Sequence, residues 1–501
     1  MYTLDKFQIK ERNFYVYLLW LVLSIVSIAH YLFLFNELPL ENHAWRNTQT
    51  LIPISNLFDG TGSVFSFNTF GDVEVPMEVP LYQYLVYYIS SIFTYFFDVV
   101  DIRVVVSNVA RTLNIFFYYG IFFTPLLVIK QNFNIHQLLI TAIFSYLIFN
   151  FEYMPLAISA TVPDVLAAFL FVLGFSFYIK YKSSFSSKIF IFLASLAKIT
   201  TPLVTITLII LSNIFYSLKE KNFEKILSSF ALVSGFLLAI FIYLYLDFLK
   251  SGNAISNEFT SAKLSGWNFG SWQNIEEILG NFKKAYYYNT RWIWPLFGIN
   301  FLLTISLLRN KKFDKLVYPL IFFITPLVFP HLFGHNYYHV LLMIPLSFTV
   351  YYLINDKQTS NWLFIFALLF AFYSPIFKLS HSNMSIYDTV IDERNKISYQ
   401  INLSNFLNKN LDINESYFIS GVGYSPVISY LSKRKGLYIY DLMIKNVGFK
   451  ELIKLSGVDN PRYYVNCGDD SIYSYINSAY KLSPIDQLDD FGNCSIYKVI
   501  K

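Results

Sequence analysis

Long apolar runs separated by short polar breaks dominate the chain. Runs near 14–35, 106–129, 136–151, 164–180, 201–217, 226–249, 292–308, 316–331, 337–354 and 361–376, with a shorter one at 188–199, are read as membrane-crossing helices. Helices of this kind span roughly 30 Å of hydrocarbon, so the pattern predicts about eleven crossings. The run 14–35 is too long for the apolar part of a cleaved leader and no small-residue cleavage site follows it, so it is read as the first crossing.

Lysine and arginine sort by loop. With Lys6, Lys10 and Arg12 in the cytoplasm, every second break carries a basic cluster: Lys130, then Lys180, Lys182 and Lys188, then Lys219, Lys221 and Lys225, then Arg309, Lys311, Lys312 and Lys315, then Lys357. The short breaks 152–163 and 332–336 on the opposite side carry none, as the positive-inside rule requires. An odd number of crossings places the tail outside. Two outer segments are long, 37–105 and 250–291, and the second carries Trp267, Trp272 and Tyr286 to Tyr288. Within the first, the tyrosine-rich apolar stretch 81–97 would invert every later loop if it crossed, so it is read as a helix lying in the interface.

From about 377 the texture changes. An amphipathic helical stretch at 396–408 is followed by short β-like runs: SYFISGV, GLYIYDL, RYYVNC and CSIYKVI. The expected fold class is thus an all-α polytopic membrane domain, 1–376, with a small extracytoplasmic α/β domain, 377–501.

Composition agrees: 55% of the 501 residues are apolar and only 14% charged, against roughly a quarter charged in soluble proteins. The net charge of +5 sits in the short loops that orient helices, and no patch suited to nucleic acid is seen. No P-loop is present, which excludes an ATP-driven pump of that class. Paired broken helices in similar halves are also absent, which weakens a secondary transporter. Cys467 and Cys494 have no metal-type spacing. In an outer domain they can pair, or remain two buried thiols.

Candidate chemistry lies in the outer segments. The first opens with His43-Ala44-Trp45-Arg46-Asn47-Thr48-Gln49-Thr50 and continues through Asp72 and Glu74 to Glu78-Val79-Pro80-Leu81-Tyr82. A carboxylate at the aqueous edge of a bilayer can act as a general base on a hydroxyl, ligate a metal, or serve as an ordinary surface acid. Asp164 opens the fourth crossing, Lys198 occupies a tight outer turn and Arg291 closes the second long segment. His335, Tyr338 and His339 form another outer turn. Singly, each has a structural role open to it: Asp164 as a helix cap, Lys198 and Arg291 as snorkelling cations. Their common face suits an anionic lipid phosphate.

These stretches together resemble the polytopic GT-C glycosyltransferases, in the bacterial branch related to protein O-mannosyltransferases and to the lipid A aminoarabinose transferase. HAWRNTQT, VPMEVPLYQYL, TVPDVLAAFL, Lys198 followed by ITT, GHNYYHVLLMIP and SPVISYLSKRKG are similar, in order, to motifs of that family. The resemblance implies an enzyme of the bacterial plasma membrane. It moves a sugar from a polyprenyl-phosphate donor to a cell-envelope acceptor (glycolipid, polysaccharide or protein) on the outer face, with inversion. It also implies roles: Glu78, with Asp72 and Glu74 as neighbours, for the base; Lys198, Arg291, His335 and Tyr338 for the donor phosphate; His43, Trp45, Arg46, Gln49 and Asp164 for organising the site. A divalent ion on Glu78 and His335 is an optional cofactor of this scheme. Gln49 departs from the pattern, because many such enzymes carry a catalytic Asp there and an amide is no base. Two other functions use the same cations: a lipid-linked sugar flippase, and a polysaccharide ligase or polymerase with a diphosphate-linked donor.

Overall fold

The computed structural model describes residues 2–35, 38–40, 43–60, 63–75, 78–99, 101–130, 133–151, 154–181, 184–220, 224–250, 275–283, 294–309, 311, 313–328, 335–355, 379–423, 425–458, 460–485 and 491–500. The chain divides into two compact units. A helical unit comprises Met1–Glu37, Asn108–Tyr243 and Gly266–Ile386. An α/β unit comprises Leu38–Ser107, Leu244–Ser265 and Tyr387–Lys501. The first long outer segment therefore groups with the carboxyl-terminal residues. The expected boundary at 376–377 and the run 361–376 lie outside the described residues.

The protein is a mostly helical, multi-pass membrane protein. Among the described residues, four stretches are long and apolar enough to cross a membrane: Asn13–His30, Ile102–Val128, Asp164–Tyr181 and Tyr337–Ile354. Their burial differs in kind. The Tyr337–Ile354 stretch is 94% buried, whereas Asn13–His30 is 22% buried and exposes Phe14, Tyr17, Leu21 and Ile25. Apolar exposure that would be a liability in water suits a lipid-facing surface. Its opposite face packs: Trp20 stacks on Phe116 at 4.6 Å and donates its indole N–H to the Phe116 carbonyl at 2.7 Å.

Helix ends in this unit are set by local chemistry. Asn134 and Gln137 form a reciprocal capping box at the start of the helix Ile135–Phe149. Ser184 accepts from the Ser187 N–H at the start of Phe185–Ala197. Lys130 donates to Gln137 and to Asn355, and Gln137 donates to the Ile354 carbonyl, tying three helix ends together. The helices Asp164–Tyr181 and Phe185–Ala197 form a hairpin whose close approach needs Gly174, where a Cβ would meet Ile191 at 3.0 Å.

The α/β unit is built on a five-stranded sheet, order β2-β1-β3-β5-β4, of β1 (Ser416–Ser420), β2 (Lys435–Ile439), β3 (Tyr463–Asn466), β4 (Lys481–Pro484) and β5 (Ser495–Ile500). β2, β1 and β3 run parallel, with β5 and β4 antiparallel beyond them. Cys467 and Cys494 are joined by a disulfide at the end of the β3–β5 ladder. The β2 edge is covered from far away in sequence. Gly436 and Tyr438 donate backbone N–H groups to Asn68 and Thr69 at 2.8 and 2.9 Å, and Phe70 bridges Leu437. Phe67, Phe70, Val73 and Val75 then join Phe418, Leu437 and Tyr464 in one core. An otherwise open edge is thereby closed by part of the first long segment.

The stretch read as interfacial is the helix Leu81–Phe96. It buries Tyr82, Gln83, Val86 and Ser90 and exposes Tyr84, Tyr88, Ile92, Tyr95 and Phe96, a one-sided apolar face at helical spacing.

Candidate active site

The motif HAWRNTQT lies on a helix, Ala44–Asp59, not in a loop. His43 precedes it in the left-handed region, φ 63°, a conformation costly for a residue with a side chain. Polar residues crowd the interior of this helix: Arg46, Asn47, Thr48, Gln49 and Thr50 are all buried. His43 and Trp45 are half-buried at its start.

The Arg46 guanidinium meets the Glu78 carboxylate at 2.5 Å, and both side chains are about 5% exposed or less. Arg46 also donates to the Gln49 side-chain carbonyl at 3.4 Å. Two motifs 32 residues apart are thus joined by a buried ion pair, with Gln49 as its third member. An aspartate at position 49 would bring a second acid against Arg46; the amide supplies an acceptor without that charge.

The other two candidate bases, Asp72 and Glu74, stand apart from this pair in character. Asp72 is 62% exposed at its side chain and pairs with Lys435 at 2.5 Å, on the strap that covers β2. Glu74 is half-buried on the same strap.

The helical unit brings together a second group. Lys198 ends the helix Phe185–Ala197 and is buried. Its ammonium lies 5.9 Å from the centre of the Tyr338 ring. His335 stacks parallel to Tyr337 at 5.6 Å and lies tilted against Tyr338 at 6.4 Å. The turn Asn336–His339 packs on the short helix Met154–Ser159. Lys198, His335 and Tyr338 therefore form one cluster. Asp164 begins its helix fully buried. The preceding turn is pinned by Asn114, which donates to the Ala160 and Val162 carbonyls at 2.6 and 3.0 Å. Arg291 lies outside the described residues.

Sequence reasoning overlooked Arg111, one turn before Asn114 and fully buried. A guanidinium inside an apolar span is expensive and is a functional signal on its own. The run 106–129 was treated as a uniform crossing, and that signal went unused.

With this arrangement in view, the solved structures are informative. ArnT from Cupriavidus metallidurans bound to undecaprenyl phosphate aligns with a TM-score of 0.59 and 11% identity, over 95% of this chain and 97% of ArnT. The apo form of ArnT aligns with a TM-score of 0.56 and 10% identity, over 97% of this chain and 98% of ArnT. The chain has the GT-C fold. No protein-family model and no curated protein matches the sequence, so the fold is carried with little sequence left to show it.

Glu78 belongs to no cluster of metal-ligating side chains: among the described residues no three His, Cys, Asp or Glu side chains gather. Glu78 has a guanidinium on Oε1, where a second cation would be repelled. No step below is routed through a metal.

Proposed function

We propose that this GT-C chain is a membrane glycosyltransferase that moves a sugar from a polyprenyl-phosphate donor to a cell-envelope acceptor, with inversion, on the outer face. The topology read from the charges, about eleven crossings with the α/β unit outside, belongs to this proposal. The observation that carries it is the buried pair Arg46–Glu78 on the two motifs of the first segment. Burying two charges is costly, and an apolar pair would serve stability as well. A buried pair of this kind is accounted for by chemistry.

Glu78 is the proposed base. Arg46 fixes Oε1, and a carboxylate has lone pairs to spare for an acceptor hydroxyl. The acceptor oxygen gives its proton to that carboxylate and bonds to the anomeric carbon. The bond from that carbon to the phosphate oxygen breaks, and the phosphate leaves with the electron pair. Lys198, with His335 and Tyr338 beside it, is the proposed holder of the phosphate charge, together with Arg291. Asp72 and Glu74 are not assigned to catalysis, because they belong to the strap.

The test uses the purified chain in detergent with a radiolabelled polyprenyl-phosphate sugar and envelope extract as acceptor. Labelled glycosidic product is expected, and Glu78→Gln should lower the rate by roughly a hundredfold or more. Lipid movement across vesicles with no product would favour a flippase and reject this reading. A diphosphate-linked glycan as the only working donor would reassign the chain to a ligase.

A further inference from the structure

The α/β unit contains a cavity of about 540 Å³ that the scheme above does not use. Small-molecule sites span roughly 300–1,000 Å³. Its walls come from the last turns of the helix Ala44–Asp59, from the β2 strap, from Arg103, and from the segments leading into β1 and β2.

Its charge is balanced and mostly committed. Asp72 pairs with Lys435 at 2.5 Å, Glu415 with Arg462 at 2.6 Å, and Arg103 with Asp101 at 2.6 Å. The Asp412 backbone N–H and Arg462 hold the Glu415 carboxyl below its usual range. Burial raises that of Asp101, and the hydrogen bonds from Arg103 outweigh it. Asp59 and Lys433 add one charge of each sign, and Lys433 also acts electrostatically on Asp101. A lining of this kind offers an anion no excess of cations, so a phosphate or nucleotide does not suit it.

The remaining wall mixes aliphatic side chains, Ile52, Ile102, Ile413 and Val458, with amides, hydroxyls and one aromatic ring. Asn56, Asn68 and Asn414 line it, and the Ser55 hydroxyl is buried with no hydrogen-bond partner among the described residues. Tyr430 presents its ring beside Arg103, whose guanidinium carbon is 5.8 Å from the ring centre. Arg103 also donates to the Tyr430 and Leu431 carbonyls at 3.2 and 3.1 Å, which fixes this wall. Amides can donate to and accept from vicinal hydroxyls, carboxylates accept from them, and aliphatic side chains cover the C–H face of a pyranose.

We infer that this cavity binds an uncharged sugar unit of the acceptor glycan. The word acceptor rests on the proposed transferase reading; the binding does not. The full chain in lipid nanodiscs is titrated with maltotriose, cellotriose, chitotriose and trigalacturonate, and followed by saturation-transfer NMR. At least one neutral trisaccharide is expected to bind, with trigalacturonate weaker. Asn414→Trp, which fills the cavity, and Asp59→Leu, an exposed change at a helix end, should each weaken that binding by about tenfold, the scale of one or two lost hydrogen bonds. Thermal midpoints equal to wild type certify the fold, and Asp59→Leu stands alone if the tryptophan unfolds the chain. Glu78→Gln should bind as wild type does, so loss of transfer with intact binding would fault only the catalytic reading. Three results would overturn the inference: no neutral trisaccharide binding, binding unchanged in both variants, or a preference for trigalacturonate.

Discussion

Two ion pairs of the α/β unit, each with its acid in the first long segment, invite comparison. Arg46–Glu78 and Lys435–Asp72 have the same separation, 2.5 Å. The first is sealed, with side chains 4% and 5% exposed; the second is open, at 42% and 62%. Distance alone does not rank them. A charge in water loses little when its partner goes, because solvent replaces it. A sealed charge has no substitute. The energetic weight of the segment therefore rests on its ends at 46 and 78, and the middle, 67–75, is held by apolar packing and backbone hydrogen bonds.

The largest expected effect tests the sealed pair. Glu78→Ala leaves Arg46 buried without that carboxylate and should cost roughly 3–5 kcal/mol. The double variant Arg46→Met with Glu78→Leu should recover most of it in a thermal melt while staying inactive. If the single variant melts like wild type, the pair is not sealed in solution and the contrast collapses.

Next comes the sheet to which the middle is strapped. Replacing Cys467 and Cys494 by serine removes a link across 27 residues and should cost roughly 2–4 kcal/mol. Hydrogen exchange should then quicken at the amides of Gly436 and Tyr438, which bond the strap. The amides of the 44–59 helix should change less. Equal loosening at both places would show that the strap and the sealed end are one cooperative element.

The strap itself turns at Gly71, φ 63°, where a Cβ would come within 2.1 Å of the Ser456 carbonyl oxygen. Only glycine fits such a turn against backbone. Gly71→Ala should cost roughly 1–3 kcal/mol, with transfer activity falling no more than stability does.

How far these features were legible in the sequence follows from what sets them. The apolar runs were legible because membrane burial needs continuous length, and helices such as Ile102–Val128 and Asp164–Tyr181 fall where the runs are. The Ala44–Asp59 helix was not foreseen, because its first turns bury arginine, amide and hydroxyl groups, which no hydropathy average registers as interior. The strap was invisible for another reason: Asn68 bonds Gly436 across more than 360 residues, and edge pairing leaves no local period. In the site, motif resemblance chose Glu78, Lys198 and His335. It favoured Glu78 and kept Asp72 and Glu74 as neighbours, but the burial that sets Glu78 apart from Asp72 was not legible in it.

The smallest effect is the sharpest check on that separation. Asp72→Asn removes the open pair with Lys435 and should change stability by under about 1 kcal/mol, the usual range for exposed pairs. Its effect should shrink further as salt rises, because exposed charges are screened. Lys435 stays solvated through its own exposure, so nothing is left buried and uncompensated. Asp72 lines the proposed acceptor cavity, so any effect should fall on the acceptor KM, and kcat should stay within about twofold of wild type, since a loss of about 0.4 kcal/mol in a barrier is a factor of two. The same measurement on Glu78→Gln should show loss of turnover at a preserved fold. If Asp72→Asn instead abolished transfer and Glu78→Gln spared it, the open carboxylate would be the base. The sealed pair would then be architecture alone.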